Sequence, residues 1–407
     1  MFLDMMMKDA SCESGMSLLD YSNELLSVHG LSISAQGIDD RFNDYAVKFM
    51  GKLVNRLFSS QIPQPLDDSF LKGYASVRLW DSTKLELPAR MQDDFPGFGG
   101  GASPSGISIQ YRYDLKNQSS CSLDVYPAVY SDAKYTEEIN VEENCLEIFD
   151  LGYVSASFLQ RLQEGGSHYV CRLHTQSGVY DLQGNELNFE KIYRWMRLYR
   201  IPVYEKEVLV GSKMVPSRLV ISLVDEATCQ KRMAKLRKDS QKKGWQVSNQ
   251  YKIRMRMNLM LTNTDSEEIP ASQIYLLYKF RWQIELFFKS WKSSGWHLDN
   301  IKEVRYERYM CILYAKLMMI ILSHRITGVI SGIYYRCHKK KLSVEKCFKT
   351  LCGQINLLRQ LLNAGVNKVG EILEKIYLLF SRGHVLCKRK NRVNFSELFD
   401  LFIWKTE

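Results

Sequence analysis

The segment from residue 75 to residue 173 alternates between the periodicity of a β-strand and that of a helix, which restricts the fold more than any other feature. Three stretches have the pattern of strands, ASVRLWDST, GISIQYRYDL and CSLDVYPAV, with the turn-forming KNQSS between the second and third. A helix from about Lys134 to Asn144, a strand CLEIFD, a helix VSASFLQRLQEG and a strand HYVCRL follow. This order predicts an α/β fold with a mixed sheet flanked by helices.

The succession of three strands, helix, strand, helix and strand is the order of an RNase H-like core. In this arrangement Asp81 lies at the end of the first strand and Asp150 just at the end of the fourth. Each acid also has a structural interpretation, because Asp81 suits a strand-end turn and Asp150 suits a cap on the helix that follows. The two residues indicate a catalytic site only together with a third acid.

The third acid belongs to the stretch YKFRWQIELFFKSWK, residues 278–292. On one continuous helix, at about 100° per residue, four polar residues would share roughly a 60° arc: Tyr278, Arg281, Glu285 and Lys292. An apolar stripe would lie about half a turn away: Phe280, Ile284, Phe287 and Trp291. The alternative is an ordinary amphipathic helix with a solvated polar face and an ion pair between residues four apart.

Three carboxylates on separate elements point to metal chemistry. Hard divalent cations prefer carboxylate oxygens, and two such ions about 3.5 to 4 Å apart can bind the attacking and leaving oxygens of a phosphodiester. The combination of Asp81, Asp150 and Glu285 therefore predicts phosphoryl transfer without a covalent protein intermediate.

Composition fits a soluble globular protein that acts on a polyanion. The chain has 407 residues, 45% apolar content and a net charge of +10, so we expect two or three domains and a polyanionic partner, either nucleic acid or an acidic membrane surface. The ten cysteines lack a paired C-x-x-C motif, which predicts reduced thiols in the cytoplasm and no zinc site. The apolar run CILYAKLMMIIL, residues 311–322, is too short to span a bilayer and predicts a core helix.

The remaining segments predict further regions. Residues 1 to about 60 read as helices, with a turn around Leu31 to Ser34 that suits a helix-turn-helix or a plain helical hairpin. We assign the glycine-rich residues 97–101 to a linker. After Lys292 the chain reads as helical to its end, with the small basic cluster KRKNR at residues 388–392.

Residues 175 to about 255 interrupt the core with the strand-like segments IYRWMRLYRIP, KEVLVGSKM and RLVISLVD, followed by a basic helix. A solvated charged face is the usual explanation of a charge run, but one so unbalanced favours contact with phosphates. The basic helix has Asp239 as the single acid among seven cations: Lys231, Arg232, Lys235, Arg237, Lys238, Lys242 and Lys243.

From about residue 17 to residue 326 the chain resembles the DDE transposases of the insertion-sequence-4 family of bacterial mobile elements. Their Tyr, Arg, Glu, Lys signature, with gaps of two, three and six residues, is matched from Tyr278 to Lys292. Asp81 lies in the motif DST and Asp150 in DLGY, as in that family. Arg172 in YVCRL and the strand LMLTN match what precedes and follows its β-rich insertion.

The resemblance implies an RNase H-like domain in which Asp81, Asp150 and Glu285 bind two Mg²⁺ ions, with Mn²⁺ as a substitute. It further implies DNA-binding roles for the other signature residues and for Arg172. Some relatives hold a flipped base against a tryptophan of the insertion; Trp195 and Trp245 are the candidates here. Relatives often carry further helical sequence before the point that corresponds to Met1 of this chain. The resemblance therefore leads us to expect that the chain starts at an internal methionine and that its end-recognition domain is incomplete.

We therefore expect five regions. They are an N-terminal DNA-binding helical region (1–70), the first part of the core (71–175), the β-rich insertion (176–255), the end of the core (256–300) and a C-terminal helical region (301–407). The predicted activity is cleavage of double-stranded DNA at terminal inverted repeats and joining of the 3′ ends to target DNA, by a homodimer associated with the bacterial nucleoid and not with a membrane. The alternatives are a catalytically idle or domesticated DNA-binding protein of the same fold, and an RNase H-like nuclease or resolvase.

Overall fold

The computed structural model describes residues 1–60, 67, 69–244, 246–300, 302–386, 398–399 and 401–402. The chain forms two compact bodies. The first body contains Met1–Phe70, Asp81–Tyr130 and Trp282–Glu407, and the second contains Leu71–Trp80 and Ser131–Arg281. The basic cluster at residues 388–392 lies outside the described residues.

The described strands are β1 Ser76–Leu87, β2 Ser105–Asp114, β3 Ser119–Pro127, β4 Cys145–Phe149, β5 His168–Arg172, β6 Val179–Tyr180, β7 Val203–Val210, β8 Val215–Leu223 and β9 Met257–Thr262. The first ten described α-helices are α1 Phe2–Ser11, α2 Leu18–His29, α3 Ala35–Asp39, α4 Asp44–Ser59, α5 Asp132–Glu137, α6 Ala156–Glu164, α7 Phe189–Leu198, α8 Glu226–Lys243, α9 Asn249–Arg254 and α10 Ala271–Tyr278. The others are α11 Trp282–Lys289, α12 Tyr306–His338, α13 Val344–Gly353, α14 Ile355–Asn363 and α15 Val366–Ser381.

Within the second body the strand order is β1-β4-β5-β9-β8-β7-β6. The β1/β4 and β4/β5 pairs are parallel, whereas β5/β9, β8/β9, β7/β8 and β6/β7 are antiparallel. Within the first body the order is β3-β2-β1, and β2 and β3 form an antiparallel hairpin. The predicted α/β class, with a mixed sheet and helices before and after it in the chain, is confirmed.

Trp80, on β1, is part of the core of the second body, where it is only 1% exposed. Its ring lies 6.0 Å from that of Phe149 and 5.4 Å from that of Phe158, between centroids. Apolar burial of this kind contributes about 25 cal/mol per Å². The packing therefore fixes β1, β4 and α6 relative to one another.

The insertion contains a helix where the sequence predicted a strand. The segment IYRWMRLYRIP is rich in β-branched and aromatic residues, but residues 189–198 form α7. Asn188 caps this helix by accepting a hydrogen bond from the backbone N–H of Lys191. Phe189 and Met196, seven residues apart, are its buried residues. The apolar positions therefore follow the period of a helix, and the strand prediction is wrong.

Two other helices differ from their predicted bounds. The helix expected from Lys134 to Asn144 ends at Glu137. The Arg161 guanidinium donates hydrogen bonds to the Thr136 and Ile139 carbonyls over 3.0 and 2.5 Å, so these carbonyls are satisfied without a further helical turn. After the turn predicted around Leu31 to Ser34, the sequence predicted one further helical segment, starting at Ser34 and running through Phe58, but the structure has two helices there, α3 and α4. Asn43 caps the second of them through hydrogen bonds from the Tyr45 and Ala46 N–H groups.

Helix α12 contains the predicted core segment at residues 311–322. Among the described helices it is the one long and apolar enough to span a membrane by length and composition, with a mean hydropathy of 1.4 in its best window. That window is 78% buried within the protein. Its burial is that of a core helix, as the sequence predicted.

Candidate active site

Strands β1 and β4 pair in parallel up to the residues that precede two aspartates in the sequence. The last register pair between these parallel strands is Trp80 with Phe149, and the next residues along the chain are Asp81 and Asp150. Strand β1 continues to Leu87, so Asp81 lies within the strand and not at its end. The sequence prediction is corrected here, because residues 83, 85 and 87 continue the alternating burial of a strand.

Asp150 is a half-buried carboxylate with three sources of stabilisation in its own body. Burial raises its pKa, but the Leu151 backbone N–H, the Arg281 charge and the Tyr278 hydroxyl outweigh burial, and the pKa is lowered. The Tyr278 hydroxyl donates to Asp150 Oδ1 over 2.8 Å. The more distant charge of Arg172 acts in the same direction. Asp150 is therefore an ionised oxygen donor at neutral pH.

Tyr278 is a neutral hydrogen-bond donor. Its pKa is raised, first by burial and then by the neighbouring Asp150 carboxylate. The Arg281 guanidinium lies 5.7 Å from the centroid of the Tyr278 ring. The phenol, which the family resemblance assigned to phosphate binding, thus has a direct contact with a predicted metal ligand.

The first body holds the other two acids. Asp81 is half-buried, and its Oδ1 accepts a hydrogen bond from the Ser82 backbone N–H over 2.9 Å. Glu285 is half-buried in the first turn of α11. The Lys292 ammonium donates a hydrogen bond to the Lys84 carbonyl over 3.0 Å, and burial lowers the pKa of Lys292.

The stretch from Tyr278 to Lys292 is not one continuous α-helix, which corrects the helix-face prediction. Tyr278 ends α10, residues 279–281 form a 3₁₀ turn, and Glu285 lies on α11. Lys292 belongs to a π-helical segment, Ser290–Ser294. Each change of winding alters the angle per residue, so the assumed 100° step does not hold throughout. The four predicted apolar positions are all buried, as expected: Phe280, Ile284, Phe287 and Trp291.

Among the described residues, no three His, Cys, Asp or Glu side chains come together as a group that could hold a metal ion. The three predicted acids do have the donor chemistry that Mg²⁺ prefers. Asp150 is held in its ionised form, and each of the three side chains retains some exposure to solvent. The residue types present therefore fit a divalent cation.

The basic helix is confirmed as α8 and presents a row of lysines. Positions 231, 235, 238 and 242 recur at helical spacing and fall within about 60° of one another at about 100° per residue. All four are exposed. We refer to them as the lysine stripe: Lys231, Lys235, Lys238 and Lys242. Arg237 is also exposed, and Lys243 ends the helix.

Arg232 differs from the other cations of α8. It is half-buried and donates to the Met255 and Met257 carbonyls over 3.3 and 3.2 Å. Its other nitrogen donates to Asn258 Oδ1 over 2.7 Å. These contacts favour a structural role, in which Arg232 holds α8 against β9.

Of the two tryptophans considered for base binding, Trp195 is among the described residues. Trp195 lies on α7 and is 44% exposed, with its ring 5.9 Å from that of Tyr199 and 6.0 Å from that of Tyr204. Trp245 lies outside the described residues. An exposed aromatic group of this kind offers a surface for stacking.

A protein-family model described as "Transposase DDE domain" matches residues 73–322. The chain belongs to this family. Asp81, Asp150, Glu285 and the whole of α8 lie inside the matched region. The family membership confirms the coarse part of the resemblance inferred from the sequence.

Curated relatives of this DDE transposase cover most of its length. The transposase for insertion sequence element IS1151 of Clostridium perfringens is 27% identical over 374 residues, covering 87% of this chain and 79% of that protein. The transposase for IS231F of Bacillus thuringiensis subsp. israelensis is 26% identical over 404 residues, covering 94% and 84%. A cryo-EM structure of a piggyBac transposase synaptic complex with hairpin DNA aligns with a TM-score of 0.44 and 12% identity, covering 97% of this chain and 77% of that chain.

The sequence analysis missed a buried carboxylate on β4 of this transposase. Glu147 on β4 is 2% exposed and accepts a hydrogen bond from Trp80 Nε1 over 2.5 Å. Its Oε1 lies 3.4 Å from Nη1 of Arg78. The network joins β1 to β4 immediately before the aspartates. The single acid in the otherwise apolar CLEIF was the signal in the sequence.

Proposed function

We propose that this protein is a transposase of the insertion-sequence-4 family that binds the terminal inverted repeats of its element, cleaves the DNA ends and joins the 3′ ends to target DNA. One observation carries the proposal. Each residue of the parallel pair Trp80 and Phe149 is followed in the sequence by an aspartate, in a chain whose residues 73–322 match the transposase domain.

Asp81, Asp150 and Glu285 are the residues that would hold two Mg²⁺ or Mn²⁺ ions. The support is the carboxylate chemistry of all three and the lowered pKa of Asp150, which keeps that group ionised. Such ions, when bound, lower the pKa of a coordinated water and stabilise charge on a leaving oxygen. The role of the chain is to supply negative oxygen donors and to orient the DNA strand.

Tyr278, Arg281, Lys292 and Arg172 would orient that strand. The Lys292 ammonium is bound to the Lys84 carbonyl, and a phosphate oxygen would replace this neutral acceptor by a charged one. Tyr278 donates to Asp150, so its first role in our proposal is to fix the carboxylate. Arg172 and Arg281 add positive charge near Asp150.

The lysine stripe would follow a DNA backbone. Its members are spaced by three or four residues on α8, which corresponds to about 4.5 to 6 Å along the helix axis. All four are exposed, and each lysine that neutralises a phosphate would release counterions condensed on the DNA, which makes binding depend on salt. Arg237 and Lys243 belong to the same proposed DNA-binding set, and Arg232 would fix the orientation of α8.

The test is cleavage of DNA carrying the inverted repeats that flank the gene, with Mg²⁺ present. We expect nicking and strand joining by the wild-type protein, and loss of both in Asp81→Asn, Asp150→Asn and Glu285→Gln with binding retained. Tight binding without cleavage by the wild type would identify a catalytically idle DNA-binding protein. Cleavage that survives all three substitutions would overturn the metal-ligand assignment.

Synapsis of two transposon ends would require at least a homodimer on double-stranded DNA, and the reaction would take place at the bacterial nucleoid in the cytoplasm. Mass photometry of the protein with one and with two end fragments tests this part. A stable complex of one chain with two ends would contradict the dimer.

A further inference from the structure

Two buried tryptophans flank the segment that carries Lys292, and both are hydrogen bonded to one helix. Trp291 Nε1 donates to His324 Nε2 over 3.1 Å, and Trp296 Nε1 donates to Ser323 Oγ over 3.0 Å. Both indole rings are fully buried. The two acceptors are consecutive residues of α12. We call these two hydrogen bonds the indole pair.

The backbone between the two tryptophans has an unusual shape. Residues 290–294 are π-helical, a winding that is rare and occurs mainly as single turns. The Trp291 carbonyl accepts a hydrogen bond from the Leu298 N–H over 2.9 Å. A Cβ atom on Gly295 would lie 2.6 Å from the Ser290 carbonyl oxygen, so this close approach requires glycine. Lys292 is thus held on a short, tightly folded turn.

His324 also contacts the helix that carries Glu285. Its ring centroid lies 4.5 Å from that of Phe287 and 4.8 Å from that of Phe348, both in edge-to-face geometry. Phe287 is two residues from Glu285 on α11. Burial lowers the pKa of His324 to about 3, so the imidazole is neutral and its Nε2 can accept the indole hydrogen bond.

We propose that His324 and Ser323 are positioning residues for the transposition reaction, acting through Trp291 and Trp296 on Lys292 and, through Phe287, on Glu285. The proposal rests on the function proposed above for Lys292 and Glu285. Neither His324 nor Ser323 touches DNA in this proposal. Each sets where a neighbouring side chain presents its charge, and displacement of about 1 Å in such a group can reduce a rate by about a hundredfold.

The chain supplies conservative variants and a matched control. His324→Leu and Ser323→Ala remove the acceptors, whereas His324→Gln and Ser323→Thr retain an acceptor oxygen. Thr327 lies one turn further along α12, is 4% exposed, and its hydroxyl has no hydrogen-bond partner within the described part of the chain. Thr327→Val therefore changes a buried hydroxyl of the same helix without removing such a bond.

The first measurement is single-turnover cleavage of end DNA at saturating protein. We expect His324→Leu and Ser323→Ala to lower the rate by about tenfold or more, with less than about a twofold change in the dissociation constant for end DNA. The Gln and Thr variants should recover much of the rate, and Thr327→Val should match wild type. Equal rates for Ser323→Ala and Thr327→Val, with His324→Leu also unchanged, would overturn the proposal.

The second measurement does not require activity. Acetylation of Lys292 by acetic anhydride, followed by mass spectrometry relative to the exposed Lys349, reports how well Lys292 is held. We expect faster labelling of Lys292 in Ser323→Ala and His324→Leu than in Thr327→Val. If wild type fails to cleave, the proposed function is wrong, and the labelling result alone tests whether the indole pair holds Lys292 in place. If His324→Leu does not fold, the Ser323 and Thr327 variants decide it.

Discussion

Tyr278 and Asp150 are joined by a hydrogen bond of 2.8 Å from the phenol to the carboxylate. The two residues are 128 positions apart in the chain, and both belong to the Tyr, Arg, Glu, Lys and Asp motifs that pointed to a transposase. The sequence motif thus contains a structural contact between a predicted DNA ligand and a predicted metal ligand. This relationship gives the first prediction.

Replacing Tyr278 by Phe should destabilise the protein and slow cleavage. The variant keeps the ring but leaves a half-buried carboxylate without one donor, which costs about 1 to 3 kcal/mol. Urea unfolding and end-cleavage rates measure the two effects. Tyr275→Phe is the control, because the Tyr275 hydroxyl of the same helix has no hydrogen bond within the described ranges. Equal stability of the two variants would contradict a structural role for the contact.

Neutralising two members of the lysine stripe should weaken DNA binding. In Lys235→Gln/Lys238→Gln, two phosphate contacts would be lost, so affinity at about 0.15 M salt should fall about tenfold. The slope of log affinity against log salt concentration should decrease in magnitude by about 0.9 per contact. Lys368→Gln/Lys375→Gln on α15 makes the same change in net charge at two exposed lysines. Identical salt slopes for the two double variants would return α8 to the solvated-face interpretation.

Arg232→Met should reduce stability, in contrast to Lys231→Met beside it. The arginine serves two backbone carbonyls and the Asn258 side chain, and loss of these charged donors costs about 2 to 3 kcal/mol. Lys231 is exposed, so its replacement should leave the free energy of unfolding within about 0.5 kcal/mol of wild type. Thermal unfolding of both variants is the measurement. A stable Arg232→Met protein that binds DNA poorly would instead assign this arginine to the DNA.

The buried His324 should make stability fall in mild acid. Its pKa is about 3 in the folded protein and about 6.5 in the unfolded chain, so the unfolded chain takes up the proton first as the pH decreases. Protonation of His324 has no effect on stability above about pH 6.5. Between about pH 6.5 and pH 3 it lowers the free energy of unfolding by up to about 1.4 kcal/mol for each unit that the pH decreases. Urea unfolding from pH 7.5 to 4.5 should show a smaller decrease in His324→Gln than in wild type. Parallel pH profiles would contradict a neutral buried imidazole.

Much of the sheet could be predicted because its strands carry their own pattern. Alternating or continuous apolar residues, bounded by turn formers, located β2, β3, β4, β5, β8 and β9 within a few residues. The pattern failed for α7. There, the same aromatic and β-branched residues suit either a strand or a helix, and only the Asn188 cap and the burial of Met196 distinguish them.

The sequence was sufficient to propose a set of candidate site residues, but it was not sufficient to predict their geometry. The motifs selected Asp81, Asp150 and Glu285 because the required chemistry restricts the residue types. The winding between Tyr278 and Lys292 could not be inferred from periodicity, since the π-helical segment is accompanied by tertiary hydrogen bonds such as that from Trp291 to His324. A local sequence pattern contains no information on a partner 33 residues away.

The closely packed turn at Gly295 has a consequence for how sequence variants of this transposase should be interpreted. Any side chain at this position meets the Ser290 carbonyl oxygen, so all 19 alternatives share one steric fault whatever their polarity or charge. A saturation screen for lost transposition should therefore mark Gly295 as intolerant, although the residue has no functional group. Such intolerance would record the space that the turn occupies, and it should not be interpreted as contact with substrate.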